Sequence, residues 1–137
     1  FRPSAGMGER PLAKIASGGE LSRVMLALHV VLGDADDVPT LIFDEIDSGV
    51  GGAVANALAE VLARLARTHQ VIVVTHLAQV ASKAERHYVV SKTEADGLAR
   101  TTLQAVEGEG RIAEIARMLS GTSTEASITH AKELLGL

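Results

Sequence analysis

The sequence predicts an α/β fold: a mostly parallel sheet with flanking helices and a small β-hairpin. Three observations predict it. Short apolar runs alternate with longer amphipathic segments, and strands separated by helices imply a parallel sheet with right-handed crossovers. Hydrophobic residues make up 47% of the chain but aromatics only 2%, with no Trp, so the core is built from Leu, Val, Ile and Ala. Such a core suits a parallel sheet covered by Ala/Leu-rich helices. Third, Ala95-Asp96-Gly97 joins two β-rich runs, a hairpin signal. At 137 residues the chain is one domain or one lobe of a larger one.

Each element has a local cause. Pro3, Gly6, Gly8 and Pro11 punctuate the first fifteen residues, which read as loop with room for a short strand. Ser17 precedes two glycines and a run in which Leu21, Val24, Met25, Leu28, Val31 and Leu32 recur at helical spacing, predicting a helix with that face buried. Gly33, the acidic run 34–37 and Pro39 end it. Leu41–Phe43 reads as a strand buried on both faces, with Asp44 and Glu45 at its C-terminal end. After the glycines at 49, 51 and 52, a second helix places Val54, Leu58, Val61, Leu62 and Leu65 on one face. Gln70–Thr75 is a second buried strand, followed by His76 and a short helix over Ala78–Ala84. The hairpin strands are His87–Lys92 and Ala99–Val106. Two amphipathic helices close the chain, Arg111–Leu119 and Glu125–Leu135, with Thr122, Ser123 and Thr124 as candidate N-caps of the last.

The net charge of −4 gives no basic patch that would argue for nucleic acid from this segment, and Arg10, Lys14 and Arg23 read as a solvated rim. The absence of cysteine excludes disulfides and Cys-based zinc sites. No apolar run approaches the ~20 residues that span a bilayer, and no secretory leader opens the chain. It begins Phe-Arg-Pro rather than with Met, which reads as a piece of a longer protein.

Ligands of open parallel sheets bind beyond the C-terminal strand ends, where Asp44, Glu45 and His76 lie. Ser17-Gly18-Gly19-Glu20 opens a helix, so backbone N–H groups and the helix dipole favour an anion such as phosphate there. Its ordinary reading is an N-cap and a turn. Asp44 offers the hard oxygen ligand that Mg²⁺ prefers, and Glu45 could orient or deprotonate a water attacking phosphorus. Their ordinary reading is a solvated strand end, although two acids after an apolar strand are costly to desolvate without purpose. His76 could sense a γ-phosphate; a lone His is more often a surface residue. Asp47 in Asp47-Ser48-Gly49 could reach a neighbouring subunit, or simply form a turn. The order and spacing of three strings, Ala16–Arg23, Thr40–Asp47 and Val71–His76, each at the right kind of junction, favour the nucleotide reading over three coincidences. No GxxxxGK[ST] phosphate loop is present, so only half of a nucleotide site is here.

ASGGELSR resembles the signature motif of ABC-type ATPases, with Ala16 where Leu often stands and Glu20 where transporters often have Gln. LIFDE resembles a Walker B strand, IDSGVGG the D-loop, and His76 the switch histidine. SGGELSRVMLAL, FDEIDSGVGG, THLAQVA, EGRIAEIARMLSG and THAKELL together are similar to the C-terminal part of the RecN family of SMC-like bacterial DNA repair ATPases. That family often has Pro where Ala78 stands and a larger polar residue near Ala53; neither position carries chemistry.

The resemblance implies that residues 1–137 are the C-terminal lobe of a split ABC-type head of P-loop NTPase fold. The N-terminal lobe would hold the phosphate loop, and two heads would close around two ATP molecules. It implies that Asp44 holds Mg²⁺, Glu45 polarises the attacking water and His76 contacts the γ-phosphate. Ser17, Gly18, Gly19 and Glu20 would act on the nucleotide of the other head, and Asp47 would link the sites. The expected protein is a cytoplasmic, nucleoid-associated ATPase of double-strand-break repair, binding DNA through its full length and inactive as this lobe alone. The nearest alternative is a nucleotide-binding subunit of another ABC-type system, either another SMC-like protein or a transporter, the latter disfavoured by the sequence after His76. A non-catalytic interaction module, its carboxylates merely structural, is the alternative of another class.

Overall fold

The computed structural model describes Gly8 and residues 17–32, 38–95 and 98–137. The loop expected over the first fifteen residues, Gly8 apart, and the stop at residues 33–37 lie outside them. The chain divides into two compact units, residues 1–75 and 76–137.

The first unit contains α1 (Gly18–Leu32), β1 (Thr40–Phe43), α2 (Gly52–Leu65) and β2 (Gln70–Val73). Ser17 starts α1 as the sequence predicts: its hydroxyl accepts from the Glu20 N–H at 3.3 Å. The buried face differs from the expected one. Leu26 is the large side chain that α1 buries, while Leu21, Met25, Leu28, Val31 and Leu32 are exposed. The helix is apolar on nearly every side, so periodicity alone does not select the face that this unit covers.

Strands β1 and β2 pair in parallel, with Thr40 opposite Gln70 and Phe43 opposite Val73. The ladder continues at both ends, where the Gln70 N–H donates to the Pro39 carbonyl and the Val74 N–H to the Phe43 carbonyl, each at 2.9 Å. Leu41 and Phe43 are buried, but Ile42 between them is 69% exposed and its neighbour Ile72 is 45% exposed. The sheet is therefore covered on one face of β1, where the sequence predicts burial on both. Strand period explains the split: successive side chains point to opposite faces.

In α2 the buried stripe is Ala55, Leu58, Ala59, Leu62 and Leu65. Relative to the expected stripe it turns toward the alanines and leaves Val54 exposed. Its three leucines supply most of the gain, at about 1.5–3 kcal/mol for each side chain fully buried.

The second unit contains α3 (Ala78–Ser82), β3 (His87–Ala95), β4 (Leu98–Val106), α4 (Gly108–Ser120) and α5 (Glu125–Leu135). Its core joins Ala78 and Ala81 of α3 to Ile112, Ile115 and Ala116 of α4 and Ala131 of α5. Arg111 ties the end of α3 to α4: one Nη2 donates to the carbonyls of Ala81, Ser82 and Ala84 at 3.4, 3.1 and 2.5 Å. Ala81 and Ser82 close the helix and Ala84 lies just beyond it, where carbonyls lack intrahelical partners.

Of the three candidate caps, Thr124 starts α5. Its hydroxyl accepts from the Ser127 N–H at 3.2 Å, and the Ser127 hydroxyl accepts from the Thr124 N–H at 2.8 Å. This reciprocal box is worth on the order of 1 kcal/mol. Strands β3 and β4 form an antiparallel ribbon in which Ala95 pairs with Leu98. The hairpin is present as expected, but its strands run longer than predicted and Ala95, expected in the connection, pairs in the ladder; Asp96 and Gly97 lie outside the described residues.

His87, half-buried at the start of β3, titrates below its ordinary range because burial disfavours its charged form and the Arg111 guanidinium repels it, with Glu114 opposing. Arg117 donates to Glu114 at 2.8 and 2.6 Å and holds that carboxyl below its usual value. For His87 the unfolded chain takes up the proton first as pH falls below ~6.5, so folding stability declines there and is insensitive to this group above it. Glu114 would act only below the ordinary carboxylate value of 4.5. Denaturant titrations at about pH 8 and about pH 5.5 should show a lower midpoint at the acidic value, and His87→Gln should shrink that gap. An unchanged gap in the variant would show that His87 contributes nothing to it.

Candidate functional site

The acidic end of β1 is not a free loop. After Phe43 the chain turns back on itself, the Ser48 N–H donating to the Glu45 carbonyl at 2.9 Å and the Val50 N–H to the Asp47 carbonyl at 3.0 Å. Glu45 has φ of 56°, the one left-handed non-glycine residue among those described. Asp44 and Glu45 are exposed, while Ile46 and Asp47 are buried. The backbone thus folds Ile46 inward and leaves the acid pair at the rim.

The start of α1 lies against this loop. The Ser22 hydroxyl donates to the Asp44 carbonyl at 2.9 Å. Arg23 Nη1 donates to the carbonyls of Ile46 at 3.0 Å and Ser48 at 2.9 Å. Two glycines make the approach possible. A Cβ on Gly19 would stand 2.6 Å from the Glu45 carbonyl oxygen and 2.9 Å from Ser48 Cβ; one on Gly18 would stand 2.6 Å from Glu45 Oε2. Gly19, Ser22 and Arg23 follow the i, i+3, i+4 rule and so share one helix face. That spacing is legible in the sequence, and it is the signal by which the contact could have been found. Arg23, expected in a solvated rim, is instead bound to the acidic loop. Arg10 and Lys14 lie outside the described residues.

The structure therefore brings together Ser17, Gly18, Gly19, Glu20, Asp44 and Glu45. Asp47 is placed differently from its expected outward reach. It is 2% exposed, and its Oδ2 accepts from Thr75 Oγ1 at 2.5 Å, two residues beyond the end of β2. Nothing in the sequence string marks Thr75 for this part. His76 follows Thr75 in the chain, is exposed, and opens the second unit.

No group of three or more His, Cys, Asp or Glu side chains among the described residues could hold a metal alone. A single exposed Asp44 nevertheless fits Mg²⁺, which commonly takes one or two carboxylates and completes its shell with waters and substrate phosphates. No helix among the described residues is long and apolar enough to cross a membrane.

No family model matches the chain. Among curated proteins it is 55% identical over 137 residues to DNA repair protein RecN of Deinococcus radiodurans, a match covering 98% of this chain and 24% of that protein. It is 52% identical to RecN of Streptomyces coelicolor over 97% of this chain, and 46% identical to RecN of Halalkalibacterium halodurans over all of it. The chain spans about a quarter of the length of these relatives. Among solved structures it is similar to an SMC head domain from Thermotoga maritima, with TM-score 0.51 and 29% identity over 75% of this chain and 37% of that one. A chain from work on ATP-driven dimerization and DNA-stimulated activation of SMC ATPases gives TM-score 0.53 at 19% identity, covering 87% of this chain and 71% of that one. The fold is that of the SMC-type ATPase head.

Proposed function

We propose that this chain, a homologue of RecN over nearly its whole length, is the C-terminal lobe of an ATPase head that works in DNA double-strand-break repair. The observation that carries the reading is the seating of the Ser17–Arg23 turn on the Asp44–Ser48 loop at the C-terminal end of β1. It gathers a phosphate-binding helix start and two exposed carboxylates at the edge where parallel sheets bind ligands.

In this reading Glu45 accepts a proton from, or orients, the water that attacks the γ-phosphate of ATP. Asp44 holds Mg²⁺, which supplies charge neutralisation for the phosphates when bound. His76 donates a hydrogen bond to the γ-phosphate. Ser17, Gly18, Gly19 and the first turn through Glu20 present N–H and hydroxyl donors to the nucleotide of a second head. Asp47, held inward by Thr75, acts on the link between sites by fixing the loop rather than by direct reach.

The missing phosphate loop belongs to an N-terminal lobe of the same protein. Two facts support that partner: the relatives are about four times as long as this chain, and the first unit leaves Ile42, Ile72, Met25 and Leu28 uncovered. An apolar face of that kind is expected to be covered in the working protein. ATP then bridges two copies of the head, and DNA is bound by the full-length protein in the cytoplasm, at the nucleoid.

The test is ATP turnover of the full-length protein with and without linear DNA, beside this chain alone. Turnover in the full-length protein and none in the lobe is the expected result. A full-length protein inert under both conditions, or a lobe active by itself, would overturn the reading.

A further inference from the structure

We infer that Arg23 is a positioning residue for Glu45, fixing the loop that carries the acid to the same helix turn that is read as the phosphate contact. The inference rests on the proposed ATPase function and deepens it, by giving the turn a task within its own chain.

Glu45 sits in a backbone conformation that a non-glycine side chain adopts only when its surroundings impose it, at a cost of about 1–3 kcal/mol. The surroundings that impose it are visible. The carbonyls on both sides of Glu45, of Asp44 and Ile46, are held by Ser22 and Arg23, and Arg23 also holds the carbonyl of Ser48, three residues beyond the acid. Three carbonyl oxygens of a five-residue loop therefore end on two adjacent side chains of one helix. Buried Ile46 anchors the loop on its inner side, and Asp47 is tied separately to Thr75. A guanidinium suits this work because its charge strengthens hydrogen bonds to neutral carbonyls and its planar fork is rigid.

The close packing of Gly18 and Gly19 completes the device. Glu45 Oε2 lies 2.6 Å from the place a Cβ on Gly18 would take, so the acid and the helix start are immediate neighbours in one chain. Any ligand that draws on the helix start must shift, or hold still, the loop bolted three and four residues further along. Engagement of the turn by the other head's nucleotide is thereby read directly by this head's own acid.

The experiment uses the full-length protein and measures steady-state ATP turnover, KM for ATP and thermal midpoint. Arg23→Gln should lower kcat roughly 10- to 100-fold with KM within about twofold of the parent, because a misplacement near 1 Å can cost that much. Arg23→Lys, which keeps the charge and N–H donors but not the planar fork, should recover part of the loss. The double variant Arg23→Gln with Glu45→Gln should be no slower than Glu45→Gln alone, since Arg23 acts through that acid. Unchanged kcat in Arg23→Gln, a loss wholly in KM, or losses that multiply in the double variant would overturn the inference. If Arg23→Gln does not fold, the same comparisons are made with Arg23→Lys, for which an unchanged kcat overturns it equally. The parent and Glu45→Gln separate the levels: a full-length parent without turnover sinks the ATPase reading, near-parental turnover in Glu45→Gln removes that acid and with it the role of Arg23, and collapse of Glu45→Gln beside a normal Arg23→Gln sinks only the role of Arg23.

Discussion

Replacing Glu45 with Gln in the full-length protein should cut ATP turnover by about 10²–10⁴-fold while leaving ATP binding intact. The range is that of a lost general base, equal to roughly 3–5 kcal/mol of barrier. Glutamine keeps the size of the side chain and an acceptor oxygen, so it should still sit beside Gly18 and leave the loop in place. What it lacks is the basic oxygen that takes a proton from water. Binding measured by nucleotide titration and turnover measured at saturating ATP divide the two effects. Turnover near the parental rate would remove Glu45 from the chemistry, and with it the reason for its exposed position at the strand end.

Placing alanine at Gly19 should destabilise the protein by about 1–3 kcal/mol, the usual cost of forcing extra atoms into a packed contact. Two effects compete at this helical position. Alanine favours helix over glycine by about 1 kcal/mol. Against that, its Cβ would stand 2.6 Å from the Glu45 carbonyl oxygen, a backbone atom fixed by the turn to Ser48. The steric effect should win. Gly18 provides the internal comparison, because a Cβ there meets the carboxylate end of Glu45, Oε2 at 2.6 Å and Cδ at 3.7 Å, the far end of a flexible side chain. Gly18→Ala should leave the denaturation midpoint close to the parent and act on turnover by pushing the carboxylate aside. A Gly19→Ala protein that unfolds at the parental midpoint would show that the helix start does not seat closely on the loop.

Much of this arrangement is legible in the sequence where a local cause is sufficient. Ser17 and Thr124 start helices because a hydroxyl before a helical run can satisfy a free N–H, and α5 has the bounds its pattern predicts. The acids follow an apolar strand and emerge at its end. The misses share another cause. Helical spacing (Leu21, Met25) and a continuous apolar run (Ile42) report hydrophobicity and not which neighbours cover it, and the first unit leaves all three exposed. The contacts of Asp47 and Arg23 were not legible for a different reason. Their partners are a hydroxyl 28 residues away and backbone carbonyls 23 and 25 residues away, and a carbonyl is present at every residue, so no residue type announces it. Only the shared helix face of Gly19, Ser22 and Arg23 hinted at the contact.

The left-handed backbone at Glu45 sets thermostability and turnover against each other. Under the role proposed for Glu45, glycine there should relax the chain and raise the thermal midpoint while removing ATP turnover. Selection acting on robustness alone would drift toward that substitution. An engineer who screens this chain for heat tolerance should therefore hold position 45 constant, because the most tempting improvement in the loop is also the one expected to remove turnover.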